Sequence, residues 1–242
     1  MDTKTTKEKY YKKGQYMKSR VKLHERIVQK FIADKGYNPE LKGLEAIILG
    51  GGSGVGKTSV LQDIIGEDGY VIIDADKIKE DILEYKLLKR LKNPLASDIV
   101  HDESSDIATF LLNSTIAIPE SLIYDGTMKN PEKYKAIIDS LKDAGYIVSM
   151  VVVDADVEVA VDRVKLRNQE GRFVSEEIVR KTNRLVAKSF LELCDLVDSF
   201  SIYDNSVNNA YPTEIAYKDL GEEVEVIDKP SFERFIAKSR LG

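Results

Sequence analysis

The chain has 242 residues, of which 43% are hydrophobic and 32% are charged, and its formal net charge is −5. This is the composition of an ordinary globular protein, and the negative charge argues against a non-specific binder of nucleic acid or anionic membrane. The single cysteine, Cys194, cannot form an internal disulfide, and the lysine-rich first residues do not resemble a signal peptide. We therefore expect a soluble, cytoplasmic protein with no membrane partner.

We interpret the chain as one domain that begins with a polar, weakly docked arm over residues 1–19 and a helical segment over 20–43. The core over 44–205 alternates short apolar strands, such as "EAIILGG" and "YVIIDAD", with amphipathic helices, one of them over "KIKEDILEYKLLKRLK". A hairpin and a helix complete the chain over 206–242. This alternation is typical of a three-layer α/β fold with a mostly parallel central sheet and helices on both faces.

A glycine-rich segment, "GGSGVGKT", follows the first core strand and matches the pattern G-x-x-x-x-G-K-[ST]. Its predicted nucleotide-binding residues are Gly51, Gly52, Ser53, Gly54, Val55, Gly56, Lys57 and Thr58. The glycines let backbone N–H groups turn inward around a β-phosphate. Lys57 is expected to bridge the β- and γ-phosphates, and the Thr58 hydroxyl to bind Mg²⁺. The segment therefore predicts binding of ATP or GTP and a P-loop NTPase or kinase fold.

Three acidic residues come at the carboxyl ends of two predicted strands, the edge at which open α/β sheets bind ligands. Strand alternation would point Asp74 and Asp76 of "VIIDAD" to the same side. A carboxylate there can accept the proton of an attacking hydroxyl. Asp125 of "SLIYDGT" is expected either to orient Mg²⁺ in the manner of a Walker B acid or to hold the acceptor.

Basic residues cluster late in the core, where "VDRVKLRNQEGRFVSEE" carries Arg163, Arg167 and Arg172. Arginines that flank a glycine-containing loop can close over phosphates and neutralise developing charge, and Arg172 after Gly171 is expected to be such a lid residue. The guanine-reading motif N-K-x-D is not evident in the sequence. Together these features favour transfer of a phosphoryl group to a small molecule over a GTPase switch or a translocating ATPase.

The motif order "GGSGVGKT", "IIDADKIKEDI", "HDESSDIATFLL", "IYDGTMKNP" and "VEVAVDRVKLRNQEGRFVSEE" resembles the zeta-toxin family of P-loop kinases. The resemblance covers residues 20–205 and lies in the order and spacing of the motifs as well as in each motif. It implies that the protein uses ATP to phosphorylate a sugar hydroxyl of UDP-N-acetylglucosamine. It also implies an antitoxin partner that blocks the ATP site.

The resemblance assigns a role to each matching residue. Asp76 matches the catalytic base, and Lys57, Arg167 and Arg172 match the cations around the transferred phosphate. Mg²⁺ would be held by Thr58 and Asp125. Asp125 and Thr127 match residues that line the substrate pocket, and the further candidates for acceptor contacts are the strand-end acid Asp74 with Glu103 and Ser104. The best-known members carry Glu where this chain has Asp125, and Glu103 and Ser104 would replace a substrate-binding Glu that this chain lacks near Thr109.

Two other readings stay open at this point. One is a kinase for a different hydroxyl, on a nucleotide, a polynucleotide 5′ end or another small molecule, although the negative charge disfavours nucleic acid. The other is a non-catalytic protein that binds ATP and regulates a partner.

Overall fold

The structure is a computed structural model that describes residues 4–41, 43–168 and 174–240. Contacts within the chain divide it into two compact units. Unit 1 comprises Met1–Asn38 and Asp68–Leu122, and unit 2 comprises Pro39–Glu67 and Ile123–Gly242. These units cut across the boundaries predicted from the sequence, because unit 1 joins the N-terminal segment to a later part of the predicted core.

The first elements in chain order are α1 (Thr6–Tyr10), β1 (Tyr11–Lys12), β2 (Gln15–Tyr16), α2 (Lys18–Ala33), β3 (Glu45–Gly50), α3 (Lys57–Val60), a π-helical turn (Leu61–Ile65), β4 (Val71–Asp74), α4 (Ala75–Lys79), α5 (Leu83–Arg90) and α6 (Ala96–Ala117). Those that follow are β5 (Leu122–Asp125), α7 (Pro131–Asp143), β6 (Ile147–Asp154), α8 (Val157–Asn168), α9 (Glu176–Leu193), β7 (Ser199–Asp204), β8 (Thr213–Lys218), β9 (Glu225–Val226) and α10 (Lys229–Lys238). None of the described helices is both long enough and apolar enough to cross a bilayer.

The N-terminal segment of unit 1 is folded, so the prediction of a weakly docked arm is wrong for residues 5–16. Thr5 forms a capping box at the start of α1, and β1 and β2 pair as a short antiparallel hairpin. Tyr16 donates a hydrogen bond of 2.7 Å to the Asp106 carboxylate on α6, and the buried Thr6 hydroxyl donates to the Ile99 carbonyl. These contacts to α6 hold the segment in place.

The rest of unit 1 is built around α6, which packs against α1, α2, α4, α5 and β4. The single helix predicted over residues 77–92 is wrong, because α4 and α5 are separate. Between them Ile82 adopts an extended backbone, with φ of −86° and ψ of 121°, and its side chain is fully buried. The helical backbone is therefore interrupted at Ile82.

Unit 2 contains a sheet in which six strands follow the order β5-β3-β6-β7-β8-β9. The pairs β3–β6 and β6–β7 are parallel, and the pairs β7–β8 and β8–β9 are antiparallel. Helix α7 packs on β6, α10 packs on β8, and α9 packs against α7, α8 and α10. The predicted α/β fold with a mostly parallel sheet and flanking helices is confirmed, as is the C-terminal hairpin.

Two basic residues of α10 neutralise two acidic residues at the carboxyl ends of β6 and β7. Asp154 and Asp204 are direct partners in the parallel register of these strands. Lys238 Nζ lies 2.7 Å from both carboxylate oxygens of Asp154, and the pair is buried. Burial raises the pKa of the Asp154 carboxyl, and the Lys238 ammonium opposes that rise. One helical turn earlier, Arg234 bonds Asp204 at 2.7 Å near the surface.

Lys238→Met is expected to lower the free energy of unfolding by about 3–5 kcal/mol, because it leaves the buried Asp154 carboxylate without its cation. Arg234→Met, on the same helix, breaks a more exposed ion pair and should cost about 1 kcal/mol or less. Urea unfolding of both variants measures the difference. Adding Asp154→Asn to Lys238→Met should recover part of the loss, and equal destabilisation by the two single variants would contradict the assignment.

Candidate functional site

The predicted phosphate loop connects β3 to α3 and has a backbone that requires glycine at two positions. Gly54 and Gly56 both have φ of +86°. A Cβ atom on Gly54 would lie 2.3 Å from the Ala160 carbonyl oxygen, and one on Gly56 would lie 2.2 Å from the Asn205 Nδ2 atom. Side chains are therefore excluded here by both backbone conformation and space.

Three side chains bind the carbonyl groups of this loop from outside. Asn183 of α9 donates to the Ser53 carbonyl at 3.2 Å, and Asn205 donates to the Val55 carbonyl at 2.8 Å. Arg163 of α8 lies 3.5 Å and 3.4 Å from the Gly54 and Val55 carbonyls. Because C=O and N–H point in opposite directions in a trans peptide, these bonds turn the N–H groups of the following residues toward the inside of the loop. The loop is thus organised for an anion.

The charged residues of the loop region are Lys57 and Asp125. Lys57 Nζ donates to the Gly51 carbonyl at 3.2 Å and lies 3.9 Å from Asp125 Oδ1, with both side chains mostly buried. Thr58 follows Lys57 at the start of α3. A hydroxyl and a carboxylate are the oxygen ligands that Mg²⁺ prefers when the remaining positions are taken by water and phosphate, so these residues fit that ion.

An open cavity of about 480 Å³ adjoins the loop within unit 2. It is lined by Gly54 and Gly56, by Arg163 and Arg167 of α8, and by residues 205 and 207–210. The Arg163 guanidinium also donates to Asn208 at 2.9 Å, and partial burial lowers its pKa, with a smaller contribution from the nearby Arg167. The cavity therefore combines two cationic side chains with the outer side of the phosphate loop.

Unit 1 holds the predicted acid pair Asp74 and Asp76, but strand alternation does not relate them, and that part of the prediction is wrong. The strand ends at Asp74, whose carboxylate caps α4 by accepting from the Asp76 N–H at 2.7 Å. Asp76 lies in the first turn of α4 with its side chain 77% exposed. Its carboxylate accepts a 2.7 Å bond from Lys79, whose buried ammonium also donates to Ser97.

Glu103 and Ser104, predicted to contact the acceptor, are fully buried in unit 1. The Glu103 carboxylate accepts from Arg20 at 2.5 Å and 2.7 Å and contacts His24 at 2.7 Å. Burial opposes ionisation of Glu103, but the bonds from Arg20 and His24 outweigh it and lower the pKa of this carboxyl to about 2. Ser104 donates to the His101 carbonyl within its own helix. An acceptor contact at either residue stays a prediction, and it would require this cluster to open.

The structure brings Lys57 to 3.9 Å from Asp125 in unit 2, with the exposed Thr58 next to Lys57 in the chain and the half-buried Thr127 in the loop after β5. Asp74 and Asp76 lie together in unit 1, and Arg172 lies outside the described residues. Sequence reasoning missed Asn183 and Asn205. They bind loop residues 130 and 150 positions away, and no local motif marks such partners.

Comparison with known proteins identifies relatives of this chain. A model of the zeta toxin family matches residues 28–216. The chain is 25% identical over 226 residues to the calmodulin calcium-dependent NAD kinase of Arabidopsis thaliana. This match covers 72% of this chain but only 42% of the NAD kinase. The chain is 21% identical over 217 residues to toxin PezT of Streptococcus pneumoniae, covering 81% of this chain and 85% of PezT.

Solved structures share the fold. A chain of the AvrRxo1-ORF1:AvrRxo1-ORF2 complex with sulphate ions has a TM-score of 0.78 at 17% identity, covering 99% of this chain and 83% of that one. The same complex with ATP has a TM-score of 0.73. The PezAT toxin–antitoxin system of Streptococcus pneumoniae has a TM-score of 0.65 at 18% identity, covering 93% of this chain and 96% of that one.

These relatives support a phosphotransferase of the P-loop kinase type. The family model covers far more than half of the sequence. The protein therefore belongs to the zeta toxin family.

Proposed function

We propose that this protein transfers the γ-phosphate of ATP to a hydroxyl group of a small acceptor, with UDP-N-acetylglucosamine as the first candidate. The observation that carries the proposal is the phosphate loop whose carbonyls are bound from outside by Asn183, Arg163 and Asn205, with Lys57 beside Asp125. A loop prepared in this way stabilises the charge of a polyphosphate without further rearrangement.

In the proposed reaction the chain supplies a base and a set of cations. Asp76 takes the proton of the acceptor hydroxyl as that oxygen attacks the γ-phosphorus atom, and Lys79 holds the Asp76 carboxylate in place. Lys57, Arg167 and Arg172 stabilise the charge on the transferring group. Thr58 and Asp125 would hold Mg²⁺, which when bound neutralises charge on the phosphate oxygens.

The donor nucleoside fits the cavity beside the phosphate loop. The cavity volume of about 480 Å³ is within the range of small-molecule sites, and Gly54 and Gly56 of the phosphate loop line the cavity. The planar Arg163 guanidinium, held by Asn208, can stack on a purine base. A similar fold has been solved with ATP, which supports ATP as the donor.

A second acceptor class is favoured by the named NAD kinase relative, namely the hydroxyl of a dinucleotide. A panel with labelled ATP decides between the acceptors, comparing UDP-N-acetylglucosamine, NAD, a nucleoside and a 5′-hydroxyl oligonucleotide. Label in the sugar nucleotide alone supports the first candidate, and label in NAD alone replaces it with the second. Tight ATP binding without label in any acceptor would instead favour a non-catalytic regulator.

We also propose a protein antitoxin as partner and the cytoplasm as the site of action. The structural neighbours include a toxin–antitoxin system, and the donor ATP is a cytoplasmic metabolite. Co-expression of this chain with and without the adjacent gene of its source genome tests the partner, with growth of the host as the measurement.

Asp76→Asn is expected to lower kcat by a factor of about 100 or more, because the amide cannot take up the hydroxyl proton. The dissociation constant for ATP should stay unchanged. Glu80→Gln is a matched control, since Glu80 is an exposed acid next to α4 that pairs with Lys89. Kinetics with the acceptor found in the panel measure the effect, and wild-type turnover in Asp76→Asn would remove Asp76 as the base.

Asn183→Leu is expected to raise the dissociation constant for ATP about tenfold, because the Ser53 carbonyl loses its partner and the loop loses its fixed orientation. Titration calorimetry with ATP measures it. Ser189→Ala is the control, since Ser189 is buried on the same helix and its hydroxyl has no partner among the described residues. Equal ATP binding by both variants would show that the loop does not depend on Asn183.

A further inference from the structure

The loop that follows β5 carries Asp125 and Thr127, and a buried tyrosine from the next helix lies directly against it. Tyr134 of α7 accepts a hydrogen bond of 3.1 Å from the Met128 N–H through its hydroxyl oxygen. The same oxygen would lie 2.1 Å from a Cβ atom on Gly126. The Tyr134 hydroxyl therefore lies against the loop backbone at Gly126 and at Met128, one residue on each side of Thr127.

Other contacts hold the same loop to β3. The Gly126 N–H donates to the Leu49 carbonyl at 3.1 Å, which continues the sheet by one residue. Met128 is fully buried and has a left-handed backbone with φ of +54°. Its sulfur would lie 2.8 Å from a Cβ atom on Gly50, the last residue of β3. A methionine does not adopt this conformation without compensation, so its contacts must offset the strain.

We propose that Tyr134 is a positioning residue that sets the loop 125–128 and thereby presents Asp125 and Thr127 to the acceptor and metal. Tyr134 itself touches neither reactant in this scheme and acts through the Met128 N–H and the Gly126 backbone. The kinetic part of the inference rests on the proposed phosphotransfer, whereas the bond to Met128 does not.

The packing around Tyr134 holds its side chain in one position against the loop. Only 5% of the residue is exposed, and its ring packs edge-on against Tyr124 of β5 with the ring centres 5.7 Å apart. Burial raises the pKa of the Tyr134 hydroxyl, with a smaller contribution from Tyr124, so the group stays neutral throughout the physiological range. The hydrogen bond from the Met128 N–H to this hydroxyl therefore does not depend on pH in that range.

Tyr134→Phe removes the hydroxyl and keeps the ring. Its expected effects are faster hydrogen exchange of the Met128 amide and a KM for the acceptor about tenfold higher, with the dissociation constant for ATP unchanged. Tyr124→Phe is the matched control, because it removes a hydroxyl from the neighbouring buried ring without touching the Met128 bond. It should leave exchange at Met128 and the KM of the acceptor at their wild-type values.

A substitution at Gly126 gives a second, opposite test. In Gly126→Ala the new methyl group collides with the Tyr134 hydroxyl at 2.1 Å, whereas the next nearest atom, Tyr134 Cζ, lies at an ordinary 3.5 Å. Gly126→Ala alone should therefore raise the KM of the acceptor more than Tyr134→Phe does. The double variant Gly126→Ala/Tyr134→Phe should bind the acceptor better than Gly126→Ala alone.

Three results would overturn the inference. They are unchanged Met128 exchange in Tyr134→Phe, an identical KM in Tyr134→Phe and Tyr124→Phe, and a double variant no better than Gly126→Ala. A wild-type protein that phosphorylates no acceptor would instead overturn the proposed function. In that case amide exchange at Met128 and the thermal stability of Gly126→Ala with and without Tyr134→Phe still decide whether Tyr134 supports the loop.

Discussion

A phosphate loop can bind a polyphosphate only if its peptide N–H groups face inward, and this requires partners for its carbonyl groups on the other side. In unit 2 those partners are amide and guanidinium groups from α8, α9 and the segment after β7. The glycine sequence permits the conformation, but these long-range bonds select it. The positions of the helices and of β7 therefore matter as much to the site as the motif itself.

Two carboxylates, those of Asp154 and Asp204, lie at the carboxyl ends of β6 and β7 in the same unit as the phosphate loop. Asp154 and Asp204 end neighbouring parallel strands, and Asp154 follows Val153, whose carbonyl oxygen would lie 2.8 Å from a Cβ atom on Gly51. Left alone, two carboxylates here would oppose the binding of an anion. Lys238 and Arg234 of α10 pair with these two carboxylates, which reduces the negative charge at this edge of the sheet.

Short sequence patterns predicted those features that depend on residues close together in the chain. The glycine motif predicts roles for Lys57 and Thr58, and apolar strands alternating with helices predicted the α/β fold, which is confirmed. Strand alternation failed at Asp76, because Asp74 caps a helix that begins one residue later. The interior position of Glu103 was not predicted, because the residue that binds it there, Arg20, lies far away in the chain. The folded N-terminal segment was missed for the same reason, since its partners Ile99 and Asp106 lie about ninety residues further on.

The bond from Asn205 to Val55 joins residues 150 positions apart in the chain. Contacts of such long range form late, because closing a large loop costs conformational entropy before any contact offsets it. The side chains that bind the loop carbonyls come from α8, α9 and the segment after β7, so the loop has these partners only when those elements are folded. A nucleotide that binds only the loop held by these elements stabilises the native state by mass action, so the proposed ATP site would couple nucleotide binding to the folding of α8, α9 and β7.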